Sequence, residues 1–285
     1  MHTQNLKPEV FAFEGWRPRL VELKKKYRQA DPFPHIVLEN FLNEACLRTA
    51  LADFPSIHSG TWIHYVHVNE RKYGKNDVAS FPISIRQIVE ELNSDAFVQL
   101  LRELTGIEGL FADATLEGGG LHQSSRGGYL NMHADFTVHP HHRDWQRRVN
   151  LLIYLNDGWR EEYGGHLEFW DKKMSHCVVK TLPLFNRAVI FNTDTHSFHG
   201  HPHPLTCPDG VTRKSMALYY FTKETKPAVR STDYRARPGE GWKGLAIYLD
   251  KMVLRAYDFL KRKLNLSDDF ASRVLGKIDR WKKRG

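Results

Sequence analysis

The alternation of apolar and polar residues changes rhythm twice along this chain. Residues 16–29 (WRPRLVELKKKYRQ) set a few apolar side chains at helical spacing among many charges and predict a polar helix. The proline-bearing stretch ADPFPHIVLENFL predicts an extended segment at His35–Leu38. Asn43–Phe54 predicts a helix capped by Asn43, with Glu44 in the first turn where free amides favour an acid. Thr61–Val68 (TWIHYVHV) is aromatic and β-branched and predicts a strand, while Ser84–Leu92 and Asp95–Leu104 predict helices. From Leu110 to Thr222 the rhythm shortens. The runs GGYLNMHADF, RVNLLIYLN, GGHLEFW, HCVVKTL, RAVIFN and KSMALYYFT are separated by Gly, Asn, Asp and Pro, the spacing of a β-sandwich or barrel.

The rhythm changes again beyond Thr222. Residues 224–242 are rich in Pro, Gly and Arg and predict a linker. Leu245, Tyr248, Leu249, Met252, Val253, Ala256, Phe259 and Leu260 then recur at helical spacing. A last short helix is predicted from Ser267, with Asp268 and Asp269 in its first turn and Phe270, Val274, Ile278 and Trp281 on its apolar face. The expected division is a mainly β, α+β domain over residues 1–223 with its strands at about 110–223. A linker (224–242) and a helical extension (243–285) packed on that domain follow.

Composition narrows the class. Among 285 residues, 41% are apolar and 26% charged, which is globular rather than disordered. No apolar run approaches the roughly 20 residues that span a bilayer. The first residues lack the apolar core of a secretory signal. Cys46, Cys177 and Cys207 form no CxxC pair, so a cysteine zinc site is excluded, and three scattered thiols fit a cytoplasmic location. Residues 243–285 hold 12 Lys/Arg against 5 Asp/Glu, while the other residues hold 29 against 28. A neutral body argues against a nucleic-acid groove. The basic extension allows peripheral contact with an anionic membrane, although a helix packed on its own domain with a solvated basic face is the favoured reading.

Histidine points to chemistry, since residues 122–203 hold 11 of the 16. In a strand, His133 and Asp135 of the sequence His-Ala-Asp project to one face and can grip one ion. Any of His196, His199, His201 and His203, just after the strand RAVIFN, can supply a third ligand from across a barrel. Two imidazoles and a carboxylate suit non-haem Fe(II) and leave coordination positions open. Arg213 opens the next apolar run, with the Ser215 hydroxyl on the same strand face. A guanidinium there binds a carboxylate through two parallel hydrogen bonds.

His-x-Asp, a distal His and Arg-x-Ser at the head of the following strand resemble the iron(II)- and 2-oxoglutarate-dependent dioxygenases. The stretches GGGLHQSSRGGYLNMHADF, RRVNLLIYLNDGW, EEYGGHLEFWD, FNRAVIFNTDTHSFHGHP and RKSMALYYFT are similar to a bacterial group within the prolyl-4-hydroxylase-like branch. The resemblance covers residues 32–223 and implies a double-stranded β-helix (jelly-roll) barrel flanked by N-terminal and C-terminal helices. It implies Fe(II) held by His133, Asp135 and His199. It also implies 2-oxoglutarate held by Arg213 and Ser215 with help from Tyr154, and by Asn131, which with Tyr129 shares strand parity with His133. The reaction implied is hydroxylation of an unactivated C–H bond, coupled to decarboxylation of 2-oxoglutarate to succinate and carbon dioxide, with ascorbate as an accessory. The substrate is expected to be a small molecule or a peptidyl group.

Competing classes fit less well. A zinc hydrolase on the same ligands lacks an HExxH helix and an evident base. A halogenase would need the Asp135 position vacated. A nucleic-acid demethylase would be expected to resemble an R-x5-R strand, where this chain has Tyr219. A non-catalytic small-ligand or metal-binding barrel would not need an intact ligand set beside Arg213. His139, His141 and His142 are expected in a solvated loop near the site mouth, and Trp159, Phe169 and Trp170 in the core.

Overall fold

A computed structural model describes residues 9–242, 244–249 and 252. The N-terminal third runs α1 (Phe13–Trp16), a 3-10 turn (Arg17–Arg19), α2 (Leu20–Gln29), β1 (His35–Leu38), α3 (Glu44–Ala52), β2 (Ile63–His67), β3 (Glu70–Lys75), α4 (Ile83–Leu92) and α5 (Asp95–Thr105). The rest is strand: β4 (Phe111–Ala112), β5 (Gly120–Ser124), β6 (Tyr129–Ala134), β7 (Trp145–Tyr154), β8 (Leu167–Trp170), β9 (Cys177–Thr181), β10 (Ala188–Asn192), β11 (His199–His201), β12 (Arg213–Lys223) and β13 (Asp233–Tyr234). Local chemistry sets the helix ends. Asn43 Oδ1 accepts from Cys46 N to cap α3, and Ser94 Oγ accepts from Phe97 N to cap α5. Gly106 ends α5 at φ +70°, and any Cβ there would strike the Arg28 guanidinium.

All strand pairs are antiparallel, in the order β1-β10-β7-β12-β5-β3-β6-β11-β8-β9; β2 adds to β3, β4 to β12 and β13 to β6. The sheet curls into a nearly closed jelly-roll barrel. Alternation divides its long strands. Val149, Leu151 and Ile153 of β7 and Met216, Leu218 and Tyr220 of β12 join Leu23, Tyr27, Leu47, Ile85 and Phe97 of the helices in one buried cluster. The intervening Asn150, Leu152, Arg213, Ser215, Ala217 and Tyr219 line a cavity inside the barrel. The helices therefore brace the outer face of the strands that carry the site.

Two irregularities alter this alternation. Opposite β11, the pairs His199↔His133 and His201↔Leu130 leave one extra residue in β6. Opposite β12, the pairs Tyr220↔Val149 and Phe221↔Arg147 leave one extra residue in β7. Each is a β-bulge that turns the following side chains to the other face.

Two expectations change. Residues 224–242 are not a free linker. Asp233 and Tyr234 pair with Ala134 and His133, and Arg235 N donates to Met132 O at 2.9 Å. In the C-terminal stripe, Ile247 is buried, whereas Leu245, Tyr248, Leu249 and Met252 are about half exposed. Val253, Ala256, Phe259, Leu260 and the helix expected from Ser267 lie outside the described residues. No helix among the described residues is long and apolar enough to cross a membrane.

Candidate active site

The cavity inside the barrel encloses about 830 Å³. On its wall the Nε2 atoms of His133 and His199 and a carboxylate oxygen of Asp135 lie within 4.8 Å of one another, all three residues buried. His133 Nε2 is 3.4 Å from Asp135 Oδ1, and His199 Nε2 is 3.5 Å from Asp135 Oδ2. Antiparallel pairing of β6 with β11 sets His133 directly opposite His199, their ring centroids 4.4 Å apart. Each imidazole is oriented by its own strand: Nδ1 of His133 sits 2.9 Å from Asn131 O, and Nδ1 of His199 sits 2.9 Å from Ser197 O. A carbonyl only accepts, so each ring donates to it from Nδ1, which turns Nε2 toward the shared point.

Asp135 is held from behind. Asn150 Nδ2 donates to Oδ2 at 2.8 Å, and Arg147 Nη2 lies 3.0 Å from the same oxygen. Arg147 Nε donates to Asn150 Oδ1, and its guanidinium packs over the Tyr219 ring at 3.4 Å. Burial pushes the Asp135 carboxyl up, but the field of Arg147, followed by those of the two imidazoles, outweighs it and holds the group well below the usual carboxylate range. Burial pushes His199 down to about 4 despite the Asp135 charge. The set therefore offers an ionised carboxylate and, at His199, a neutral imidazole, both forms that can bind a divalent cation.

Arg213 marks a second pole. It is buried, its Nε donates to Gly165 O at 2.8 Å and its Nη2 to Tyr154 Oη at 3.3 Å. No carboxylate among the described residues pairs with it. Ser215 lines the cavity two residues on and lies opposite Tyr154 in the β7–β12 ladder. A buried guanidinium without an anion is costly, and a ligand carboxylate is the group that answers it.

The structure thus brings His133, Asp135, His199, Arg213 and Ser215 to one cavity. Tyr154 supports Arg213 from outside the cavity lining, its ring 4.9 Å from the guanidinium carbon. Asn131 is placed elsewhere: its Nδ2 donates to Val68 O at 2.9 Å, tying β6 to the β2–β3 turn, and Tyr129 Oη reaches His67 O in the same region. The β6 bulge is the cause, since it breaks the parity that would have aligned residues 129, 131 and 133, and Leu130 lines the cavity instead. His196 is exposed, and His201 faces the cavity without joining the metal-ligand set. His139 is not solvated. It is buried with its Nε2 3.4 Å from Asp113 Oδ2, whereas His141 and His142 are exposed. Trp159, Phe169 and Trp170 are buried core residues.

Sequence reasoning missed Arg147, Asn150, the Glu70–Lys72 pair at 2.9 Å, and Arg230 and Tyr234 from the predicted linker. Asn150 carried a signal, because it shares strand parity with Leu152 and Tyr154. Arg147 carried none, because the β7 bulge turns it inward.

A mainly antiparallel jelly-roll with two histidines and one aspartate facing a buried arginine is the architecture of a 2-oxoglutarate-dependent oxygenase. The comparisons with known proteins agree. Residues 119–221 match the family model of the 2OG-Fe(II) oxygenase superfamily. Its fold is similar to a Pseudomonas putida prolyl-4-hydroxylase, at TM-score 0.52 and 16% identity over 72% of this chain and 100% of that one. It is also similar to a Trichoplax adhaerens prolyl hydroxylase solved with a hypoxia inducible factor peptide fragment, at TM-score 0.53 and 18% identity over 74% of this chain and 93% of that one. No curated protein matches the chain by sequence.

Proposed function

We propose that this protein is a hydroxylase that inserts oxygen into an unactivated C–H bond of a small-molecule or peptidyl substrate, coupled to decarboxylation of 2-oxoglutarate to succinate and carbon dioxide. The observation that carries the reading is the pairing, in one cavity, of an oriented His-Asp-His donor set with a buried arginine that pairs with no carboxylate among the described residues. The donors fit Fe(II), since two imidazole nitrogens and one carboxylate oxygen leave half of an octahedron open. Fe(II), when bound with 2-oxoglutarate, would activate dioxygen, the oxidant that delivers one oxygen atom to the C–H bond and the other to succinate.

The residues then divide the work. His133, Asp135 and His199 hold the metal, and the Asn131 and Ser197 carbonyls keep both rings in register. Arg147 and Asn150 fix the carboxylate and keep it ionised. Arg213, steadied by Tyr154, takes the distal carboxylate of 2-oxoglutarate with Ser215 alongside. Leu152, Leu167 and Ala217 line the cavity with apolar surface that limits water near the reacting centre. Ascorbate belongs to this reading as an accessory reductant. A cytoplasmic location is part of this reading, from three cysteines, Cys46, Cys177 and Cys207, too scattered in sequence for a disulfide framework.

The test is succinate release with Fe(II) and 2-oxoglutarate across peptidyl proline, free amino acids, sugars and small metabolites. His199→Ala is expected to abolish turnover and metal binding, and His201→Ala to leave metal affinity in place. The reverse result would remove His199 from the ligand set. Metal-independent hydrolysis of a substrate without succinate release would overturn the hydroxylase reading.

A further inference from the structure

The cavity holds more room and more positive charge than the cosubstrate uses. About 830 Å³ lies at the upper end of the range for drug-sized ligands, and a molecule as small as 2-oxoglutarate leaves most of it free. Five basic side chains line it, Lys72, Arg143, Arg147, Arg213 and Arg230, against three acids, Glu70, Glu117 and Asp135. Two cation–carboxylate pairs are closed internally: Lys72 with Glu70 at 2.9 Å and Arg147 with Asp135 at 3.0 Å. A divalent metal and a dianionic cosubstrate cancel each other, so the loaded cavity still has two more basic than acidic side chains.

That excess lies toward solvent. Arg213 is buried, whereas Arg143 is exposed and Arg230 half-buried. Arg143 sits in the turn after Asp135 and has no ion pair among the described residues. Arg230 belongs to a strap, residues 228–234, that lies beyond the stretch matched by the family model and lines the cavity. The strap is tightly sewn down. Arg230 N donates to Thr137 Oγ1 at 2.9 Å and Thr137 N to Arg230 O at 3.0 Å, and β13 continues along β6. Among the described residues the Arg230 guanidinium donates only to backbone carbonyls, those of Thr195 at 2.8 Å and of Asp135 and Asp194 at 3.2 Å. The carboxylates whose fields reach it are engaged elsewhere: Asp233 with Arg235, Asp135 with Arg147, and Asp194 with His196 N.

We propose that the outer half of the cavity, between the strap and the turn carrying Arg143, is the substrate subsite, and that it takes a substrate bearing an anionic group, a carboxylate or a phosphate. The inference rests on the reading of Arg213 as the cosubstrate anchor, because only then are Arg143 and Arg230 left for the substrate. Arginine suits both anions, presenting paired donors that match their oxygens. Val229, Ser231 and Thr232 supply the remaining strap-side wall.

The experiment loads the full chain with Mn(II) and saturating 2-oxoglutarate and reads paramagnetic line broadening of added inorganic phosphate, acetate and neutral acetamide by NMR. Saturable broadening of phosphate or acetate, but not of acetamide, is expected, and the anion that responds identifies the source. Arg143→Gln should reduce the effect about ten-fold, the loss expected for a charge-assisted hydrogen bond, and Arg143→Lys should keep most of it. Arg230→Gln should act in the same direction. It also loosens the strap, so the exposed Arg143 carries the decision. The proposal is overturned by no anion broadening, by equal broadening of acetamide, or by no change in Arg143→Gln. The signals of 2-oxoglutarate are read in the same sample. If they are not broadened, the cosubstrate reading fails and takes this one with it.

Discussion

At the scale of single residues, the site is a set of charges taken out of water and answered one by one. Arg213 is the one buried among them that needs an answer from a ligand. A charge-assisted pair of this kind contributes about 1.5–3 kcal/mol, so Arg213→Ala should raise the KM for 2-oxoglutarate roughly ten- to 150-fold. An unchanged titration of 2-oxoglutarate would remove Arg213 from the cosubstrate pole. His122, on the cavity wall, makes a different prediction. Burial, aided by the charge of Lys72, pushes its imidazole down to about 3. Above pH 6.5 it is neutral in both the folded and the unfolded chain. Below that, the unfolded chain takes up a proton that the folded one refuses, so stability falls as pH drops and the loss is complete below the folded value. The contribution is on the order of 5 kcal/mol. Denaturant unfolding of His122→Gln should therefore lose less stability between pH 6.5 and 4 than the parent, and parallel profiles would mean that folded His122 protonates freely. The residues whose place in the cavity was legible in the sequence, His133, Asp135 and Arg213, are those that stand two residues apart from each other or from Ser215, with no bulge between. Arg147 was not legible, because its place beside Asp135 depends on a bulge that no local residue type announces.

At the scale of elements, the strands read correctly are those with one face in the helical core. β7 and β12 alternate between helix-facing apolar and cavity-facing side chains, β10 alternates between the helical cluster and a second apolar cluster around Phe169, and β1 coincides with the expected segment, His35–Leu38. β3, with sequence ERKYGK, was missed because Glu70 and Lys72 face the polar cavity, so nothing in it marks a buried strand. β11 and β13 were missed because three and two residues are too few for a period. Yet β11 carries His199, and its position depends on Gly200. A Cβ there would lie 2.7 Å from Leu130 O and 2.9 Å from Asn131 O, both backbone atoms of the β6 bulge that cannot move aside cheaply. Gly200→Ala must push β11 away from β6 and separate His199 from His133. Overpacking of this kind costs about 1–3 kcal/mol. The expected outcome is a lower melting temperature together with weakened Mn(II) binding, measured by calorimetric titration. Metal affinity equal to that of the parent would show that β11 does not set the ligand spacing.

At the scale of the whole molecule, the barrel does not end where its family pattern ends. The match stops at residue 221, yet the strap beyond it pairs with the strand of His133, and the Tyr234 ring lies 5.4 Å from that imidazole. Composition alone made this stretch a linker, because Pro, Gly and Arg also mark a strap held by side chain-to-backbone bonds. The extension after Trp242 plays another part. It carries 12 Lys/Arg against 5 Asp/Glu, it supplies no proposed metal or cosubstrate residue, and of its described apolar residues Ile247 is the buried one. Two truncations separate these roles. Ending the chain after Trp242 should remove the burial of Ile247, about 1.5–3 kcal/mol, and lower the melting temperature by roughly 3–10 °C. Substrate-independent succinate release should persist, since its groups all precede residue 216. Ending it after Lys223 should also remove Arg230, β13 and one wall of the cavity, so substrate-stimulated succinate release should disappear as well. If removing residues 243–285 leaves the melting temperature unchanged but abolishes binding to anionic liposomes, the extension is a docking device rather than a brace.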